Sequence, residues 1–108
     1  MPTPPKESHG PTLPYPFHAT PWHYTGTGGW VFVSLPQDMA EEIRALVGRR
    51  EEQGWGRLTA TAQIGNTQWK SAIWWDTKHQ TYLLPLKADI RKKENIQPGV
   101  EVAITIWV

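Results

Sequence analysis

A chain of 108 residues fits one domain with a modest core and little room for a second. It has no cysteine, which excludes a disulfide framework, a thiolate zinc site and a cysteine nucleophile. The net charge of +1 divides into four Lys/Arg against six Asp/Glu over residues 1–54, and seven against four over residues 55–108; this imbalance is too small by itself to announce a nucleic-acid partner. Seven Trp and ten Pro bias the chain toward strands and turns. No segment approaches the roughly 20 apolar residues of a membrane helix, and no apolar stretch follows the N-terminal charge, so a soluble, cytoplasmic protein is expected.

The opening "MPTPPKESHGPTLPYP" holds six of the ten prolines and almost no bulky aliphatic residue. Residues 1–15 are therefore expected to be a disordered Pro-rich tail, with a single domain over 16–108. Next come "FHATPWHY" and "GWVFVSL", aromatic and β-branched runs joined by "TGTG", a hairpin whose first strand is an edge or bulged strand because of Pro21. In "SLPQDMAEEIRALVGRR" the residues Met39, Ile43, Leu46 and Val47 make one apolar helical stripe. Ser34 and Gln37 have capping-box spacing there, and Gly48 is placed to end the helix.

"RLTATAQIG" alternates, placing Leu58, Ala60, Ala62 and Ile64 on a core face and Thr59, Thr61 and Gln63 on a wet one. Gly65-Asn66 turns the chain into "TQWKSAIWW", "DTKHQ" turns it again, and "TYLLPL" leads to a short helix "KADIRKKEN". In the last strand Val100, Val102, Ile104, Ile106 and Val108 face one way, and Glu101, Ala103, Thr105 and Trp107 the other.

The order strand, strand, helix, strand thus occurs twice. Leu35-Pro36 and Leu84-Pro85 mark corresponding points, with two further residues in the second half so that Ile90 answers Met39. Either half alone leaves unpaired strand edges, and joining them removes those edges. The expected fold is mainly β with two short helices, a single-chain six-stranded β-barrel.

"GTGGWVFVSLPQDMAEEI", "GWGRLTATAQIGNTQWKSAIW" and "YLLPLKADIRKKENIQPG" resemble, in order and spacing, the bacterial domain-of-unknown-function family numbered nineteen-oh-five, which sometimes accompanies YdeI/OmpD-associated, or bacteriocin-protection, proteins. The resemblance covers Phe17 to Val108. It implies a double-split β-barrel, distantly similar in architecture to the DNA-binding domains of AbrB and MazE type, with no established activity and no catalytic residues to carry over. The family commonly has Gly-Asp where this chain has Gly99-Val100, so no carboxylate role is carried over at that point.

Among motifs with chemistry, "GTGGW" lacks phosphate-loop spacing and leads into a strand, so it reads as a hairpin turn. His9, His18, His23 and His79 contain no HExxH pair, and no metal site or cofactor is expected. Ser34 and Ser71 have no nucleophile-elbow context, so no enzyme is expected. Lys87 and Arg91 share a helix face. Lys70 comes from a neighbouring strand, and adjacent Trp74 and Trp75 cannot both point into one interior, so one of them is exposed.

Trp69, Lys70, Trp74, Lys87 and Arg91 are accordingly the candidate contacts for a small anionic ligand or a protein, in a monomeric, non-catalytic binding or accessory domain. The alternative is a nucleic-acid-binding regulator of AbrB-like architecture using the basic second half: Arg57, Lys70, Lys87, Arg91, Lys92 and Lys93, with Trp74 or Trp107 stacking on bases. The first helix carries Asp38, Glu41 and Glu42 where the second carries Lys and Arg, which argues against a two-fold footprint on duplex DNA and leaves a one-sided contact.

Overall fold

The computed structural model describes residues 13–26, 28–48 and 56–108. Its elements are β1 (Pro14–Ala19), β2 (Trp22–His23), β3 (Val31–Ser34), α1 (Gln37–Ile43), β4 (Arg57–Ile64), β5 (Thr67–Asp76), β6 (Thr81–Pro85), α2 (Ala88–Lys93) and β7 (Val102–Trp107), with a π-helical turn Arg44–Gly48 continuing α1. The strands form one antiparallel sheet in the order β1-β7-β4-β5-β6-β3-β2.

The mainly β class with two helices matches the expectation, but the sheet has seven strands instead of six. The expected first strand is two. The chain leaves β7 at Ala19, passes through Thr20 and Pro21, and joins β3 at Trp22. Pro21 has no N–H for a ladder and a fixed φ, so pairing is interrupted there; its carbonyl accepts from the Gly99 amide at 2.9 Å. The outermost strands β1 and β2 are thus joined by two residues, which curls the sheet. Of the expected Pro-rich tail, residues 1–12 lie outside the described residues, whereas Pro14 and Tyr15 belong to β1 and Tyr15 enters the core. The folded part therefore starts earlier than residue 16.

The two halves occupy related places. Val33 pairs with Leu84 at the centre of the β3–β6 ladder. On either side the Leu35 amide donates to Tyr82 and the Leu86 amide to Val31, at 3.0 and 2.9 Å. The same spacing separates Val31 from Tyr82, Val33 from Leu84 and Leu35 from Leu86, and also the starts of α1 and α2, so Ile90 does answer Met39. The counterpart of Leu35-Pro36 is Leu86-Lys87, however, and not Leu84-Pro85.

The inner face is built by alternation. Leu58, Ala60, Ala62 and Ile64 are buried as expected, beside Val31 and Val33, Tyr82 and Leu84, Ile104 and Ile106. Helix residues Ala40, Ile43 and Ile90 join the same cluster. In the last strand the parity holds for Ile104, Ile106 and Val108, but Val100 lies before β7 and is exposed.

Thr61, expected on the wet face, is buried, and so are Thr105 and Trp107, the latter with only 1% of its surface exposed. Thr61 pairs with Trp107, which puts the indole beside a small side chain. Parity fixes the face of a strand residue, not its exposure.

Two helix expectations are corrected. Ser34 does not cap α1. Its Oγ accepts from Trp22 Nε1 at 3.0 Å, and Pro36 stands at the N-cap with no side-chain bond. The α-helical stripe breaks after Ile43, where the wider π-turn rotates the following residues, leaving Leu46 exposed. The side chain of Val47 lies outside the described residues.

Candidate functional site

The five expected ligand contacts do not converge. Trp69 is on the inner face of β5, half-buried, packed against the core, and its indole N–H is buried with no hydrogen-bond partner among the described residues. Lys70 and Trp74 are exposed on the outer face of the same strand. The sheet itself separates them from Trp69.

On α2, Lys87 is exposed just before the first turn, while Arg91 is half-buried and donates from Nε to the Leu86 carbonyl at 3.0 Å, a tie within its own segment. Lys92 and Lys93 are exposed in the last turn, where the C-terminal end of a helix favours positive charge. Of the six cations in the nucleic-acid alternative, Arg57 and Lys70 share the outer face. Arg57 pairs with Trp74, its guanidinium 5.7 Å from a ring centroid of that indole.

Of the adjacent pair, Trp74 is the exposed one, at 38%. Trp75 packs against the core, edge-on to Tyr82 with centroids 5.1 Å apart, and carries the Arg44 guanidinium 4.1 Å from its ring. Trp107, the other indole expected to stack on bases, is buried and not available for it.

Among the described residues, the largest exposed aromatic group lies on the β2–β3 hairpin. Trp22 pairs with Phe32, and the Tyr24 amide donates to the Trp30 carbonyl at 2.9 Å, so four rings stand on one face. Phe32 is their hub: Trp22 lies 5.4 Å away, Trp30 stacks at 6.0 Å with its plane within 11°, and Tyr24 meets it edge-on at 6.1 Å. Tyr24 is 48% and Trp30 50% exposed. The signal was present in the sequence, since Trp22 and Tyr24, and Trp30 and Phe32, have strand parity. Without the hairpin register nothing says that the two pairs meet on the solvent side.

Strand pairing extends this face. Phe32 stands beside Pro85, and Ser34, Leu83, Trp74 and Arg57 follow one another across β3, β6, β5 and β4. One apolar band therefore runs over the outside of the sheet, from the hairpin rings to Trp74, with Arg57 at its far end.

At one margin of the band is the Asp76–Gln80 turn. The His79 ring lies 6.2 Å from Trp22, its Nδ1 is hydrogen-bonded to Asp76 Oδ2, and its carbonyl accepts from Gln37 Nε2 at 3.1 Å. Asp76 Oδ1 takes the Lys78 amide at 3.1 Å. Both carboxylate oxygens thus serve the turn, while Ser34 Oγ is held by Trp22.

Elsewhere, an open groove of about 660 Å³ lies between β1, β7 and the β4–β5 turn, lined by Phe17, His18, Gln63, Asn66 and Ile104 among others. None of the expected contacts lines it. Among the described residues, no three or more His, Cys, Asp or Glu stand together as a metal-binding group, and no helix is long and apolar enough to cross a membrane.

Comparison with curated proteins finds no match. The family model described as "Domain of unknown function (DUF1905)" matches residues 17–106, which takes in every strand from β2 to β6, both helices, the second half of β1 and all of β7 but its last residue. With that span matched, the chain belongs to the domain-of-unknown-function family DUF1905.

Proposed function

We propose that this is a small, non-catalytic binding domain of double-split barrel type, and that it engages its ligand on the outside of the sheet. Barrel closure is supported by the two-residue link between the outermost strands and by the exchanged hydrogen bonds around Val33 and Leu84. Small barrels of this kind fill their interiors with side chains, so a ligand has to use the rim or the outer wall.

The observation that carries the reading is the solvent-exposed aromatic band from Tyr24 and Trp30 to Trp74. A monomer this small rarely leaves contiguous rings uncovered without a use. The test is native mass spectrometry of the protein isolated from its host under mild conditions, beside Trp30→Ala and Trp74→Ala. A bound species lost from both variants supports the reading, and one retained by both removes the outer face as its site.

The alternative, a nucleic-acid-binding regulator using the basic second half, is favoured by one arrangement: Arg57, Lys70 and Trp74 share a face. Titration with oligonucleotides at two salt concentrations tests it, because phosphate contacts give an affinity that falls steeply with salt. No detectable binding at low salt removes it.

A further inference from the structure

We infer that the outer aromatic band is a stacking surface for unpaired bases of single-stranded nucleic acid. The inference rests on the reading of that band as a binding surface and names its ligand class.

The rings are arranged as a platform, not a cage. Phe32 touches Trp22, Trp30 and Tyr24 with centroids 5.4–6.1 Å apart, so no gap is left among them to enclose a cation or an alkyl group. What remains free is ring face and ring edge turned to solvent, which fits a flat ligand. Every nucleobase presents a π-face, and stacking on exposed aromatics is how single-strand binders hold bases without reading sequence.

Charge selects among flat ligands. The band ends at Arg57 over Trp74, with Lys70 exposed on the same face of β5 and Lys87 exposed two residues beyond Pro85. Arg57 and Lys70, on the same outer face as Trp74, offer contacts for a phosphate backbone running beside the rings. At the margin of the band Asp76 accepts from His79 and from the Lys78 amide. From β2 to β4 the band crosses the sheet over on the order of 20 Å at the usual strand spacing, long enough for several nucleotides of an extended single strand.

Duplex DNA does not suit this surface, since its bases are stacked on one another and their faces are not available. The preference for unpaired strands separates stacking from general attraction to polyanions.

The experiment is fluorescence anisotropy with a labelled mixed-sequence oligonucleotide of about 15 nucleotides, within the usual site size, its duplex, and unlabelled heparin as a base-free polyanion competitor, at about 50 and 200 mM salt. The single strand is expected to bind roughly tenfold or more tighter than the duplex. Trp30→Ala and Trp74→Ala should each weaken it by roughly tenfold at an unchanged salt slope, whereas Arg57→Gln should lower the slope by about one. Circular dichroism and melting confirm that the variants fold.

No binding of the single strand at low salt, a duplex bound as tightly, or heparin competing equally while the tryptophan variants bind like the parent, each overturns the inference. If a neutral oligosaccharide or self-association measured by sedimentation is instead lost in Trp30→Ala, the band stands as a surface and nucleic acid falls. If no ligand's binding responds to either tryptophan variant, the surface reading falls as well.

Discussion

Val33 and Leu84 face one another at the centre of the β3–β6 ladder, and the bonds on either side of them are reciprocal, Leu35 to Tyr82 and Leu86 to Val31. Two halves that differ in sequence and in charge are therefore joined at equivalent points. The joint is fully buried, since Val31, Val33, Tyr82 and Leu84 are all inaccessible to solvent.

Leu84→Ala removes a branched side chain from this joint and leaves a cavity that neighbours in two ladders cannot fill. A loss of about 2–5 kcal/mol in unfolding free energy is expected by urea denaturation. A loss below about 1 kcal/mol would mean that the joint is not tightly packed.

Trp107 and Trp30 should respond in opposite ways. Trp107→Ala empties a buried site and is expected to cost about 3–5 kcal/mol, whereas Trp30→Ala on the half-exposed hairpin should change stability by less than about 1 kcal/mol. Melting temperatures of the two variants check this directly.

These two indoles also show what was legible in the sequence. Alternation in "RLTATAQIG" and in Ile104–Val108 placed the core residues correctly, because a strand of period two needs only parity. The same parity put Trp107 outside without revealing that it is covered. It could not register Trp22 against Phe32 either, since pairing partners are set by a turn and by Pro21, where a strand expected to be continuous divides between the two margins of the sheet. Residue type and helical spacing say nothing about which side of a sheet a candidate side chain reaches; Trp69 and Lys70, neighbours in sequence, lie on opposite sides.

Tyr15 predicts an alkaline limit. Burial first, then the Glu42 carboxylate and the hydrogen bond to it, raise the phenol above its ordinary 10.0. The neutral form is favoured by folding, so its contribution is fully present below the unfolded value and is lost as pH rises from about 10 through the folded one. Tyr15→Phe should flatten the fall in stability above pH 10, measured by denaturation across that range.

The β4–β5 turn should tolerate little. Gly65 sits at φ +56°, and the next residue but one, Thr67, donates from its hydroxyl to Glu94 Oε2 at 2.6 Å. Gly65→Ala is expected to cost about 1–2 kcal/mol for the left-handed backbone, and Thr67→Val about 0.5–1.5 kcal/mol for the lost bond. Thermal unfolding of each variant gives the comparison.

The seven indole N–H groups report most directly on whether binding takes place on the outer wall of a filled sheet. In two-dimensional ¹H–¹⁵N spectra, adding a single-stranded oligothymidine should shift the Trp22, Trp30 and Trp74 indole signals and leave those of Trp69 and Trp107 in place. Movement of the Trp69 signal with Trp30 and Trp74 unchanged would contradict it, because Trp69 stands on the inner face of β5 and the ligand would then have entered from the other side of the sheet.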